Sequence, residues 1–372
     1  MRILYLSMSY LPGRKASSVH VMNMSSALAA NGHTVTLIGK QGAPATQSLH
    51  DFYGVPNNFT IRQLPRPKRR GGGAVFAAAV LAEVARLRKE VDLVYCRDII
   101  GAQIGVMLGL PTVHEQHSMP LMKSRWQLPL WRRLVNAPTF VGLTLVSQAL
   151  RDDIIAHDLA PKRAPICVAH DAATPPSLGV NTRRPLAAPP RIGYVGSIFP
   201  GRGIELIIEL AKRMPDCVFP IYGGSASEVA HWQRGGISTN LQFHGFVPPG
   251  ELNQLYQTFD VVLMPYPRSG VKIASGEDNS RWCSPMKMFE YMASGTAIVS
   301  SDLPVLGEVL RHEDNALIAQ AGDVSAWQAA VTRLISDEAL RQRVATNAYR
   351  DLCEHHTWQG RAKQVLATLG LT

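Results

Sequence analysis

The chain has 372 residues, with 38 Lys and Arg against 28 Asp and Glu and an ordinary share of apolar residues. That length exceeds what one hydrophobic core usually supports, so two domains are expected. No apolar run reaches the about 18–20 residues that span a bilayer, and the opening Met1-Arg2-Ile3-Leu4-Tyr5-Leu6-Ser7 is too quickly polar for a signal peptide.

Five cysteines (Cys96, Cys167, Cys217, Cys283 and Cys353) are scattered, odd in number and without CxxC spacing. This argues against a disulfide framework or structural zinc and fits small core residues in a reducing cytosol. The charge is uneven. Residues 1–180 hold 20 basic and 10 acidic residues, and residues 181–372 hold 18 of each. The basic half is therefore expected to face an anionic partner, nucleic acid or anionic lipid, between which charge alone does not choose.

In chain order, Ile3–Leu6 is a predicted strand, followed by a polar loop from Leu11 to Ser18. A helix then runs to about Ala30, stopped by Asn31-Gly32-His33, and Thr34–Ile38 forms the next strand. Ala74 to Lys89 is helical. Val91–Tyr95, Pro111–His114 and Val141–Val146 are strands. Strands alternating with helices imply a parallel sheet covered on both faces. Residues 173–190, rich in proline and polar residues, suit a linker. The alternation then restarts with strands at Arg191–Gly196, Val218–Tyr222, Leu241–Gly245, Val261–Pro265 and Ala297–Ser300, and a helix at Ile204–Met214. The expected organisation is α/β: a basic domain over 1–172, a linker over 173–190, a second domain over 191–345, and a C-terminal helix within 346–372 packing back towards the first. Two Rossmann-like domains would face each other across a cleft at the carboxyl ends of their strands, where such folds bind ligands.

The most specific segment is Ser284-Pro285-Met286-Lys287-Met288-Phe289-Glu290-Tyr291-Met292-Ala293-Ser294-Gly295. Ser284 is the expected N-cap, Pro285 the first helical residue and Gly295 the stop. Unpaired amides at such a helix start, with the positive dipole end and Lys287, suit a diphosphate, and Glu290 suits a pair of ribose hydroxyls. A capped core helix with solvated Lys287 and Glu290 is the competing reading. A second segment, Val195-Gly196-Ser197-Ile198-Phe199-Pro200-Gly201-Arg202-Gly203, joins a strand to a helix. Its glycines permit close backbone approach and Arg202 offers a forked donor set, so Gly196, Ser197 and Arg202 are candidates for phosphate contact. No GxGxxG follows either first strand, which disfavours a nicotinamide dehydrogenase.

These segments, with Ala297–Pro304 and Glu308, closely resemble the donor-site region of the family 4 retaining glycosyltransferases, whose common fold is called GT-B. The resemblance extends over nearly the whole chain. It implies that Glu290 holds the nucleotide ribose, that phosphates lie over the turn of Ser284, Pro285 and Met286, and that Arg202 contacts the donor diphosphate. It also implies that His117, in the strand-end segment Pro111-Thr112-Val113-His114-Glu115-Gln116-His117, faces the donor sugar. Arg97, after Val94-Tyr95-Cys96, has a similar strand-end place, with mere pairing to Asp98 as the competing reading. Ser17 and Ser18 stand where the family often has paired glycines, and either receive a phosphate or sugar or merely cap a helix. The chain departs from the family at Trp282, where an acid commonly contacts the sugar; Glu277 or Asp278 is a candidate substitute.

The resemblance implies transfer of a sugar from a nucleotide diphosphate-sugar, with retained configuration, to a glycan or lipid-linked acceptor of cell-surface polysaccharide or glycolipid synthesis. No cofactor beyond the co-substrate is expected, no metal site is visible, and nucleic acid is not an expected partner. Arg62, Arg66, Lys68, Arg69 and Arg70 precede the apolar edge Gly71–Phe76. Lys123, Arg125, Arg132 and Arg133 interleave with Trp126 and Trp131. These mark a face for an anionic membrane surface, making the protein cytoplasmic and peripheral, or a merely solvated basic face. A GT-B-shaped nucleotide-sugar epimerase and a non-catalytic lipid- or nucleic-acid-binding module remain alternatives.

Overall fold

A computed structural model describes residues 1–44, 46–67, 71–120, 127–177, 179–182, 184–234, 236–271 and 278–371. Lys68, Arg69, Arg70, Lys123, Arg125, Trp126 and Glu277 lie outside the described residues. The chain divides into two compact units. Unit 1 is Met1–Asp171 with Trp358–Thr372, and unit 2 is Ala172–Thr357.

Unit 1 runs β1 (Arg2–Leu11), α1 (Ala16–Ala30), β2 (Thr34–Gln41), α2 (Leu49–Tyr53), β3 (Thr60–Leu64), α3 (Gly72–Leu87), β4 (Leu93–Cys96), α4 (Ile99–Met107), β5 (Thr112–Gln116), α5 (Gln127–Val135), β6 (Phe140–Leu145), α6 (Gln148–Ala156) and β7 (Ile166–Val168). Its parallel sheet has the order β3-β2-β1-β4-β5-β6-β7. Unit 2 continues with β8 (Ile192–Val195), α7 (Ile204–Arg213), β9 (Phe219–Tyr222), α8 (Ala226–Gln233), β10 (Leu241–Gly245), α9 (Leu252–Tyr256), β11 (Val261–Met264), α10 (Met286–Ala293), β12 (Ala297–Ser301), β13 (Leu317–Ala319), α11 (Val324–Ser336) and α12 (Glu338–His355). Its parallel sheet is ordered β10-β9-β8-β11-β12-β13. The last helix, α13 (Trp358–Thr368), returns to unit 1.

Each sheet starts from a central first strand, builds outwards to one side, then reverses. The reversal points, β1/β4 and β8/β11, are where open α/β sheets bind ligands beyond the strand ends. Strands β4, β8 and β11 are buried along their whole length, as expected of sheets covered on both faces. Helix α7 shows how the sequence closes unit 2. Ile204, Ile207, Leu210 and Ala211 recur at helical spacing and pack on Phe219, Val261 and Trp327. Burial of each of the two isoleucines and of Leu210 contributes about 1.5–3 kcal/mol.

The boundaries differ from expectation in two places. Position 345 is interior to α12, whose Leu340, Val344, Ala345 and Ala348 are buried in one apolar face, so no domain ends there. The chain leaves unit 2 twelve residues later, after Thr357. The segment expected as a linker is counted within unit 2, where Ala173 bridges to Thr357 and Arg184 donates to the Phe259 carbonyl.

Candidate functional site

In unit 2 the site is built around the first turn of α10. Pro285, not Ser284, occupies the N-cap position, with extended backbone, and Met286 is the first helical residue. The helix starts one residue later than expected because Pro285 adopts ψ 122, outside the helical range. Ser284 lies buried just before it. Gly295 follows the helix in the left-handed conformation, φ +64, as its stop requires.

Lys287, in this first turn, reaches back to the loop after β8. Its ammonium lies 4.0 Å from the centroid of the Tyr194 ring and 5.3 Å from that of Tyr266. A Cβ added to Gly196 would stand 2.7 Å from Lys287 Nζ. Gly196 also has φ +149, so only glycine both adopts this backbone and leaves the ammonium its place. Arg202, further along the same loop, lies over Phe199 at 4.7 Å and Tyr266 at 5.8 Å, and bonds the Tyr266 hydroxyl. Burial and the Arg202 charge hold Lys287 well below the usual ammonium range, against the opposing pull of Glu290. Two cations are thus drawn together at the carboxyl end of β8, on aromatic faces that supply only a weak counter-charge. An anion bound at the helix start relieves that repulsion.

Glu290, one turn along α10, has one oxygen fixed. Tyr256, buried on α9, donates to Oε2 at 2.7 Å. Ser197 is exposed and its carbonyl accepts from Tyr194 at 2.7 Å. Asp278 is bound into its own loop, Oδ2 accepting from Gly270 N at 2.8 Å and Oδ1 from Ser280 N at 2.9 Å. Burial acts to raise its pKa, but these amides hold it below the usual range. Its carboxylate therefore organises the loop. Trp282 is half-buried nearby in sequence. The structure brings Gly196, Arg202, Lys287 and Glu290 together; the aromatic supports Tyr194, Tyr256 and Tyr266 were not singled out in the sequence, where isolated tyrosines in strand and helix patterns carry no signal.

Unit 1 holds a second polar centre, at the carboxyl ends of β4 and β5. His117 Nε2 contacts Glu115 Oε1 at 2.7 Å and its Nδ1 lies 3.1 Å from Arg97 Nη2. Arginine only donates, so Nδ1 accepts and Nε2 carries the proton given to Glu115. Burial first, then the Arg97 charge, push His117 down to about 3, so it is neutral. Glu115 also meets His20 Nε2 at 2.8 Å, Arg361 Nη2 at 2.9 Å and the Tyr95 hydroxyl at 2.6 Å. Burial opposes its ionisation, but Arg361 and His20 outweigh that and hold it well below the carboxylate range. His20 Nδ1 faces Asp171 Oδ1 at 2.9 Å. His20, Glu115, His117 and Asp171 are side chains of the kind that hold metals, within 4.8 Å of one another. The Arg361 guanidinium already supplies the positive charge such a group calls for.

Arg97 thus faces His117, while Asp98 instead caps α4 through Gly101 N at 2.8 Å. Helix α1 begins at Ala16 with Lys15 at its N-cap position, so neither Ser17 nor Ser18 caps it. Ser18 is buried and donates to the Tyr10 carbonyl at 3.0 Å. His20, Asp171 and Arg361 went unread in the sequence. A signal for Arg361 existed: Trp358, Ala362 and Val365 form an apolar stripe at helical spacing, and Arg361 falls within it.

The expected membrane face is also revised. Trp131 is buried and donates to the Leu159 carbonyl at 2.8 Å, Phe76 is fully buried, and Arg62 is paired with Glu83. Covering the large rings gains more than exposing them. Arg66, Arg132, Arg133 and Val75 remain exposed. Among the described residues, no helix is long and apolar enough to cross a membrane.

Comparison with known proteins adds an independent line. A family model described as Glycosyltransferase Family 4 matches residues 17–172, and one described as Glycosyl transferase-like matches residues 202–367. An uncharacterized glycosyltransferase of Methanocaldococcus jannaschii is 22% identical, over 94% of this chain and 92% of that protein. A D-inositol 3-phosphate glycosyltransferase of Nocardioides sp. is 24% identical, over 94% and 83%. Among solved structures, Anabaena HepE in complex with UDP and glucose superposes with a TM-score of 0.72 at 19% identity, over 100% of each chain. Sucrose-phosphate synthase from Thermosynechococcus elongatus gives 0.73 at 17% identity, over 98% of this chain and 96% of that one. At these identities the superpositions establish the fold.

Proposed function

We propose that this chain, which belongs to the family 4 glycosyltransferases and has the GT-B fold, moves a sugar from a nucleotide diphosphate-sugar to a glycan or lipid-linked acceptor, with retention of anomeric configuration. The observation that carries this reading is Lys287 lodged against Gly196 at the start of α10, with Arg202 beside it.

In this reading the diphosphate sits on the amides of the first turn of α10, between Lys287 and Arg202, and Glu290 takes the ribose hydroxyls. The bond from the sugar's anomeric carbon to the distal phosphate oxygen breaks, the acceptor oxygen bonds to that carbon on the same face, and the acceptor proton passes to the departing phosphate. Negative charge grows on the diphosphate as it leaves, and fixed cations and amides aimed there lower the barrier without reorganising. His117, which the family resemblance turns towards the donor sugar, is neutral and orients rather than charges it. The diphosphate's charge is met by side chains, so metal independence is part of the proposal: activity that EDTA abolishes would contradict it. The UDP complexes of a protein with the same fold make a uridine donor the first to try.

The basic surface of unit 1 is proposed to rest on anionic lipid through Arg66, Arg132 and Arg133, making the protein peripheral to the cytoplasmic face of a membrane. Flotation with liposomes tests this: recovery with anionic lipid should exceed recovery with neutral lipid, and equal recovery removes it. The function itself is tested by a panel of nucleotide diphosphate-sugars, scored first by thermal shift and then by transfer. A donor that stabilises the wild type and leaves Lys287→Ala unmoved supports the assignment. Conversion of a sugar nucleotide without any acceptor would replace it with epimerisation.

A further inference from the structure

The last helix of unit 1 reaches the strand-end histidine through buried charge. Glu115, Arg361 and His20 are all at most 2% exposed. Arg361 turns its fork onto Glu115, Nη2 to Oε1 at 2.9 Å and Nη1 to Oε2 at 3.4 Å, while its remaining donors meet the carbonyls of His170 at 2.7 Å and Ala169 at 3.2 Å. The same Oε1 of Glu115 takes His117 Nε2. An apolar residue at 361 would continue the stripe of Trp358, Ala362 and Val365 and bury α13 without placing a charge in the interior. Packing alone therefore does not explain an arginine there.

We propose that Arg361 is a positioning residue: acting through Glu115, and with Arg97 on the opposite nitrogen, it fixes the orientation of the His117 ring and keeps its proton on Nε2. The groups facing this ring are Arg97 from the end of β4, Glu115 from β5, His20 from α1 with its ring 5.0 Å away edge-on, and Asp171; Arg361 acts at one remove. With both nitrogens committed, His117 presents a neutral ring and carries no proton to or from the substrate. The catalytic consequence rests on the reading that His117 faces the donor sugar; the placement of the proton does not.

The experiment uses full-length protein labelled with nitrogen-15 at histidine, the His117 signals being assigned by their loss in His117→Asn. The wild type should show Nε2 protonated, Nδ1 bare and no titration between about pH 5 and 8. In Arg361→Gln and Glu115→Gln, the His117 ring should lose its fixed tautomer and exchange its proton between Nε2 and Nδ1, with kcat falling about tenfold and donor KM within about twofold. Arg361→Lys, which keeps a cation but not the fork, should restore part of both. If Arg361→Gln does not fold, Glu115→Gln gives the same readout. An unchanged His117 spectrum in any folded variant overturns the proposal, whatever happens to its melting temperature or turnover. So does a wild-type His117 that titrates. These spectra need no substrate, so a wild type that transfers no sugar would sink the functional reading separately.

Discussion

The polar centre of unit 1 and the cationic turn of unit 2 handle buried charge in opposite ways. Around Glu115 the buried polar groups are matched within 3 Å: the Arg361 guanidinium on one oxygen, His117 and His20 beside it, Asp171 across His20. Around Lys287 the charge of Arg202, another cation, outweighs the opposing pull of Glu290, and the pair leans on the rings of Tyr194 and Tyr266. A matched network is a scaffold, and losing one member strands the others in a low-dielectric interior. Like charges held together are poised for an anionic ligand, and losing one costs the fold little. The same physics thus separates a group that positions from a group that binds.

The largest expected effect tests the scaffold half. Arg361→Met leaves Glu115 buried without its guanidinium, which should cost about 3–5 kcal/mol of stability in chemical denaturation. Nucleotide binding by the folded fraction should be unchanged. Stability within about 1 kcal/mol of wild type would show that the network is not the scaffold described. Next comes the binding half. Lys287→Ala should lower turnover about 10²–10³-fold, while its melting temperature holds or rises as the repulsion with Arg202 disappears. A large drop in melting temperature would make Lys287 structural and erase the contrast.

Gly196→Ala sharpens the same point more gently. The added methyl displaces the ammonium at a strained φ, so donor KM should rise about tenfold with only a modest loss of melting temperature. A separate effect concerns acid. His117 is held near 3 in the fold against an ordinary 6.5, so the unfolded chain binds its proton more readily. Its contribution to stability is complete above about pH 6.5 and fades as pH falls towards 3. Melting temperature followed from pH 7 to 4 should fall less steeply in His117→Asn than in the wild type; parallel curves would refute the assignment.

Much of the fold was legible because strand and helix periods alternate cleanly, and because glycines such as Gly32 and Gly295 mark helix ends. The strands that were missed, β3, β7 and β13, are short edge or near-edge strands of three to five residues, where no period has room to establish itself. The cationic turn was legible because Pro285, Lys287, Glu290, Gly196 and Arg202 lie in two compact segments. The matched network was not, because Arg361 meets Glu115 across 246 positions, and only the return of α13 to unit 1 joins them. Local order also misled. Ser17 and Ser18 looked like a cap, but Lys15 precedes the helix by one residue and Ser18 turns to Tyr10. Trp131 looked like a membrane anchor because a tryptophan beside two arginines has the same sequence whether its ring points out or, as here, into the core.

Calorimetric titration of the wild type, Lys287→Ala and Arg202→Ala with the nucleoside diphosphate of the best donor, and with the corresponding monophosphate, tests most directly whether the α10 turn grips a pyrophosphate. The wild type should bind the diphosphate at least about tenfold more tightly, and both substitutions should abolish that preference. A preference that survives in both variants would place the diphosphate elsewhere and contradict the proposed site.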